Sequence, residues 1–94
     1  MQTPPEVPIT LVAINDDPAS LRLVRKVLDQ EDLEILVSTD AVEGLELVFR
    51  KRPHIVLLDL NIPKLSGMGL LKRIVAVLPE TAVILIAGHY SGLI

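Results

Sequence analysis

The chain has 94 residues, no cysteine, and a hydrophobic half that includes only two aromatic side chains, Phe49 and Tyr90. One compact domain is the expectation at this length, and the missing cysteine excludes a disulfide scaffold and any thiolate metal site. Twelve acidic against nine basic residues leave a net charge of -3. The basic residues are dispersed, which argues against nucleic-acid contact by this segment.

The opening stretch, Met1 to Pro8, has neither the basic start nor the apolar middle of a secretion signal, and its three prolines read as an extended arm over residues 1–8. No apolar run approaches the about 18 residues of a spanning helix. The chain is therefore expected to be soluble and cytoplasmic, with no membrane contact. Residues 9–94 form the domain proper.

Ile9 to Asn15 is the first of four short, nearly unbroken aliphatic runs, the signature of strands. A helix follows: Pro18 suits its opening turn after Asn15-Asp16-Asp17, and Leu21, Val24, Val27 and Leu28 share a face. Leu33 to Ser38 is the second strand, with Glu34 and Ser38 among its aliphatic residues. Asp40 with Glu43 makes a capping-box pattern for the second helix, whose stripe is Val42, Leu45, Val48 and Phe49. Arg50-Lys51-Arg52 and Pro53 end it, with positive charge at the negative pole of the dipole. The third strand runs from His54 to Leu60. A third helix starts near Ser66-Gly67, buries Leu70, Leu71, Ile74, Val75 and Leu78, and stops at Pro79. Ala82 to Gly88 is the fourth strand.

The order βαβαβαβ implies a doubly wound α/β fold, with parallel strands and right-handed helical crossovers on both faces. Its mixed composition makes the second strand an edge, whereas the first, third and fourth read as central. The fourth strand wants a neighbour that the few following residues are too short to supply. The chain is thus expected to stop before its fold is complete, and to aggregate or be completed by another chain through homodimerisation or chain exchange.

In such sheets ligands bind at the carboxyl ends of the strands, where strand order reverses. With order 2-1-3-4, Asp16 and Asp59 converge there. Two close carboxylates repel, and a divalent cation is the usual remedy; few, oxygen-only ligands suit Mg2+. Asp59, at the end of a buried strand, also suits a nucleophile that forms an acyl phosphate. Asp16 and Asp17 equally suit a helix cap. His54 and His89 read as structural, and Arg50-Lys51-Arg52 as a solvated helix end.

The run from Ile55 to Gly67, with Asp59, Asn61 and Pro63 at their spacing, resembles the phosphoacceptor strand and loop of the receiver domains of two-component response regulators. Val12 to Arg22 is similar to that family's first strand and acidic corner, and the likeness covers about residues 9 to 91. The resemblance implies a flavodoxin-like receiver fold that here lacks the fifth strand and last helices. It implies that Asp59 accepts a phosphoryl group from a sensor histidine kinase, a phosphoprotein step in phosphorelay signalling. Mg2+ would be held by Asp16, Asp59 and the backbone carbonyl of Asn61, with Asn15 and Asp17 as acidic-pocket neighbours. The outcome is a switch read by an output domain or partner protein, not a turnover enzyme.

The sequence departs from the family at three places. Asn15 stands where the first of two adjacent acids is usual, which lowers the charge of the site. Ala87 replaces the switch hydroxyl, although Gly88 keeps the small residue beside it. The usual Lys of the fifth strand is absent from these residues. These departures motivate an alternative, a receiver-like domain that regulates by protein contact without phosphoryl transfer. A small aspartyl-phosphate hydrolase ranks lower, because Asn61 stands where such enzymes often place a general acid.

Overall fold

The computed structural model describes residues 8–29, 32–62 and 66–86. The arm over residues 1–7, Pro63, Ala87, Gly88 and His89 lie outside the described residues. The elements are β1 (Ile9–Ile14), α1 (Pro18–Val27), β2 (Leu33–Ser38), α2 (Ala41–Lys51), β3 (Ile55–Asp59), α3 (Gly67–Val77) and β4 (Ala82–Ile86).

Each helix begins at a side-chain cap. The Asp17 carboxylate accepts from the Ala19 N–H, that of Asp40 from the Glu43 N–H, and Ser66 Oγ from the Gly69 N–H, at 3.1, 2.9 and 2.9 Å. These bonds satisfy amides that lack an intrahelical partner. α2 ends on Arg52, whose φ of 47° is left-handed and whose N–H donates to the Val48 carbonyl at 2.8 Å. That geometry closes the helix, and Pro53 then prevents its continuation.

All strands are parallel, in the order β2-β1-β3-β4. In register, Leu11 lies beside Ile35 and Ile55, and Ile14 beside Ser38 and Leu58. Alternation sends Val12, Ile14, Val56 and Leu58 to one face, where they pack with Leu45, Val48, Leu70 and Ile74 of α2 and α3. Leu11 and Ala13 face the other way, onto Leu21 of α1.

His54 stands just outside β3, and its backbone and ring both serve β1. Its N–H donates to the Thr10 carbonyl at 2.9 Å, and its Nδ1 accepts the Thr10 N–H at 3.0 Å. The ring thus supplies an acceptor at the end of the ladder, the structural role expected of this residue.

Three helix positions differ from the sequence reading. Val27, Val42 and Val75 were expected on buried stripes but are exposed, whereas Ala41 and Gly44 are buried on α2. Small residues let α2 approach the sheet closely, which turns its contact face toward Ala41 and Gly44. β4 closes the described order β2-β1-β3-β4, as the expected order 2-1-3-4 places it, with Ile84 half exposed. β3 is its one partner among the described residues.

Candidate functional site

The carboxyl ends of β1 and β3 adjoin, because Ile14 and Leu58 are register partners. Asp59 follows Leu58 directly, and Asp16 lies two residues beyond Ile14, so the topology brings the two acids to one end of neighbouring strands. Asp59 is only 7% exposed and is the one buried charged side chain among the described residues. Its Oδ1 accepts the Asn61 N–H at 3.0 Å, which turns the backbone at Leu60 and Asn61 toward the carboxylate. The Leu60 N–H donates to the Ile86 carbonyl at 2.9 Å, tying the backbone just past Asp59 to β4.

The three polar residues after β1 divide their tasks. Asn15 Oδ1 accepts the Asp17 N–H at 2.9 Å and builds the turn. Asp17 caps α1 and also accepts the Ser20 hydroxyl at 2.8 Å. The Ser20 hydroxyl, then the Ala19 amide, hold the Asp17 carboxyl below its ordinary value, with a smaller contribution from the Arg22 charge. Asp16 lies exposed between them, and the turn's hydrogen bonds leave its side chain out.

The oxygen groups that the topology places at these strand ends are the carboxylates of Asp16 and Asp59, with Asn61 two residues past Asp59. No group of three or more His, Cys, Asp or Glu side chains that could hold a metal ion is found among the described residues. Asn15 contributes no charge.

Gly67 has a role that its sequence position alone did not reveal. A Cβ there would lie 2.5 Å from the Leu60 Cα, so the start of α3 is pressed against the residue after Asp59. The glycine was legible as a helix opener, but its tertiary contact was not. Gly44 was missed altogether; its added Cβ would meet Ile14 side-chain atoms at 2.9 Å.

A family model described as the response regulator receiver domain matches residues 11–92. Among curated proteins, the chain is 32% identical over 84 residues to a protein-glutamate methylesterase/protein-glutamine glutaminase of Symbiobacterium thermophilum, covering 87% of this chain and 23% of the relative. It is 31% identical to the transcriptional regulatory protein GlrR of Escherichia coli, with 89% of this chain and 19% of the relative covered. It is 30% identical to the virulence transcription regulator BvgA of Bordetella pertussis, over 88% of this chain and 40% of the relative. The chain thus spans well under half the length of these relatives. A solved receiver domain from Clostridium thermocellum superposes with a TM-score of 0.80 at 30% identity, covering 87% of this chain and 67% of that one. A CheY-like receiver protein from Methanospirillum hungatei gives a TM-score of 0.82 at 25% identity, covering 89% and 67%.

Proposed function

The chain belongs to the response regulator receiver domain family, and on that premise we propose that it is a phosphoacceptor module of two-component signalling. The observation that carries this reading is the Asp59 carboxylate, buried at the end of an apolar strand with a backbone amide on Oδ1. A buried carboxylate is costly unless something compensates it, and such a group at a strand end is positioned for chemistry rather than packing.

In the step proposed, an Asp59 carboxylate oxygen attacks phosphorus on a kinase phosphohistidine. The new O–P bond gives an acyl phosphate as the P–N bond breaks, and the departing imidazole nitrogen keeps the electron pair and takes a proton from solvent. The Asn61 amide orients Oδ1. The exposed Asp16 and the carbonyl of Asn61, with Asp59 itself, form an all-oxygen set that suits Mg2+, which supplies charge neutralisation for phosphoryl oxygens when bound.

The relatives attach this kind of segment to different activities, so the output is proposed only as a joined domain or partner protein whose contacts change with the charge on Asp59. The sensor kinase is proposed on the same family premise. No described helix is long and apolar enough to cross a membrane. The exposed apolar side chains of β4 support the further proposal that this strand is covered by another protein segment, including one from a second copy.

Incubation with Mg2+ and a small acyl-phosphate donor, followed by intact-mass measurement, is expected to show one labile phosphoryl adduct. Asp59→Asn should abolish it while preserving the fold. A folded wild-type protein that never acquires the adduct would overturn the proposal and leave regulation by contact alone.

A further inference from the structure

The outer edge of β2 offers backbone groups, an apolar floor and a charged wall in one place. The bonds from Ile9 N–H to the Asp32 carbonyl and from Asn15 N–H to the Ser38 carbonyl set the phase of the β1–β2 ladder. Alternate residues of a strand turn their backbone groups to opposite sides. The even-numbered residues of β2 therefore face β1, and Leu33, Ile35 and Val37 turn N–H and C=O outward. β2 is terminal in the sheet, so no described strand takes these groups.

The side chains of the same three residues lie half-buried on the α1 side. Two adjoining cavities run along them beneath α1, of about 440 and 190 Å³, sharing Arg22 and Arg25. Leu33 and Ile35 floor the first and Val37 the second. Among the described lining residues the wall is cationic: Arg22, Arg25 and Lys26 stand against the carboxylate of Asp29. On the opposite face the balance reverses, where Glu43 and Glu46 outnumber Arg50 in a cavity of about 320 Å³ beside Val37 and Ser38.

We propose that the β2 edge docks an extended acidic segment of a partner protein as an added strand, its acidic side chains directed to the α1 wall. Main-chain hydrogen bonds to Leu33, Ile35 and Val37 supply the pairing. The alternation of side chains supplies specificity, because every second residue meets cations on one face while the others meet a carboxylate-rich face. Glutamate suits the groove, since its methylenes cover the aliphatic floor while its carboxylate reaches the guanidinium groups. The edge is thereby selective: acid is favoured on one face and repelled on the other.

The probe is a blocked octapeptide in which valine alternates with glutamate, titrated into the isotope-labelled full chain. Binding is expected to slow hydrogen exchange at the Leu33, Ile35 and Val37 amides. Reversing charge in the protein with Arg25→Glu or Lys26→Glu, both at exposed positions, should weaken the peptide about threefold or more each. Core amides such as Val12 and Val56 report that the variants remain folded. Equal binding of a lysine-for-glutamate peptide would overturn the charge assignment, and equal binding of a backbone N-methylated peptide would overturn strand addition. Absence of protection at the three amides overturns the proposal, as does protection that grows with protein concentration without peptide, which would assign the edge to a second copy.

Discussion

Gly67→Ala tests the contact between the start of α3 and the loop after Asp59. The added Cβ would stand 2.5 Å from the Leu60 Cα and 3.0 Å from both its carbonyl oxygen and its Cδ2. Optimal carbon contacts lie at about 3.5–4.0 Å, so the helix start and the loop must separate by about 1 Å. The nearest atom is backbone, which cannot swing aside as a side-chain tip can. Overpacking of this kind costs about 1–3 kcal/mol, and alanine's helix propensity recovers at most about 1 kcal/mol, less at a first helical residue. The expected loss is about 1–2 kcal/mol, which lowers a urea midpoint by about 1 M for a domain of this size. Gly69→Ala is the comparison in the same helix: its Cβ meets only the Ser66 hydroxyl, at 3.0 Å, a side-chain group that can shift, so crowding of the cap is offset by alanine's helix propensity and a smaller loss than at Gly67 is expected. Because Leu60 precedes the amide that bonds Asp59, acyl-phosphate labelling of Gly67→Ala should also slow, even under conditions where the protein is fully folded. An unchanged or raised urea midpoint would show that α3 does not press on this loop, and would refute the argument.

Two further perturbations probe the helix ends. Arg52→Gly should raise stability by about 0.5–1 kcal/mol, seen as a thermal midpoint higher by a few degrees, because arginine holds φ at 47° where glycine is unstrained. A lower midpoint would mean that Arg52 side-chain contacts outweigh its backbone strain. The Asp17 carboxyl is held below its ordinary 3.8 by Ser20 and Ala19, so its cap stabilises the folded chain fully above that value and is lost as pH falls through the depressed one. Comparing wild type with Asp17→Asn in urea from about pH 5 to about pH 2, the wild type alone should lose this contribution on acidification, since an asparagine cap does not titrate.

Much of this geometry was legible because it is set locally. Asp17, Asp40 and Ser66 cap helices through bonds spanning two or three residues, and side chains of that kind before an amphipathic run announce them. The edge place of β2 was legible from composition, since Glu34 and Ser38 mark it, and the order 2-1-3-4 follows from it once β1 and β3 are neighbours. What could not be read is tertiary. Periodicity defines the direction of a helical stripe to within about one residue, and the sheet's approach at Gly44 decides whether Ala41 or Val42 faces inward. The ring acceptor at His54 likewise depends on Thr10, 44 residues away in sequence. At the candidate site, the sequence placed Asp16, Asp17 and Asp59 together as acids, but their separate tasks depend on hydrogen bonds that spacing alone did not resolve.

Asn15 shows why charge and geometry at this site are separable. Its Oδ1 accepts the Asp17 N–H, a bond that an aspartate would also form, so the turn is satisfied without the negative charge. Removing that charge acts in two directions. Attraction for a divalent cation falls, because one fewer carboxylate faces the strand ends. Repulsion toward an incoming phosphoryl group would fall as well, since the remaining acids are Asp16 and Asp17, both exposed to water, and Asp59, which the proposed reaction would consume. On the proposed function, cation affinity and phosphoryl acceptance therefore need not decline together, and the proposed acceptance would turn on the buried carboxylate of Asp59 rather than on the total acidity of the corner.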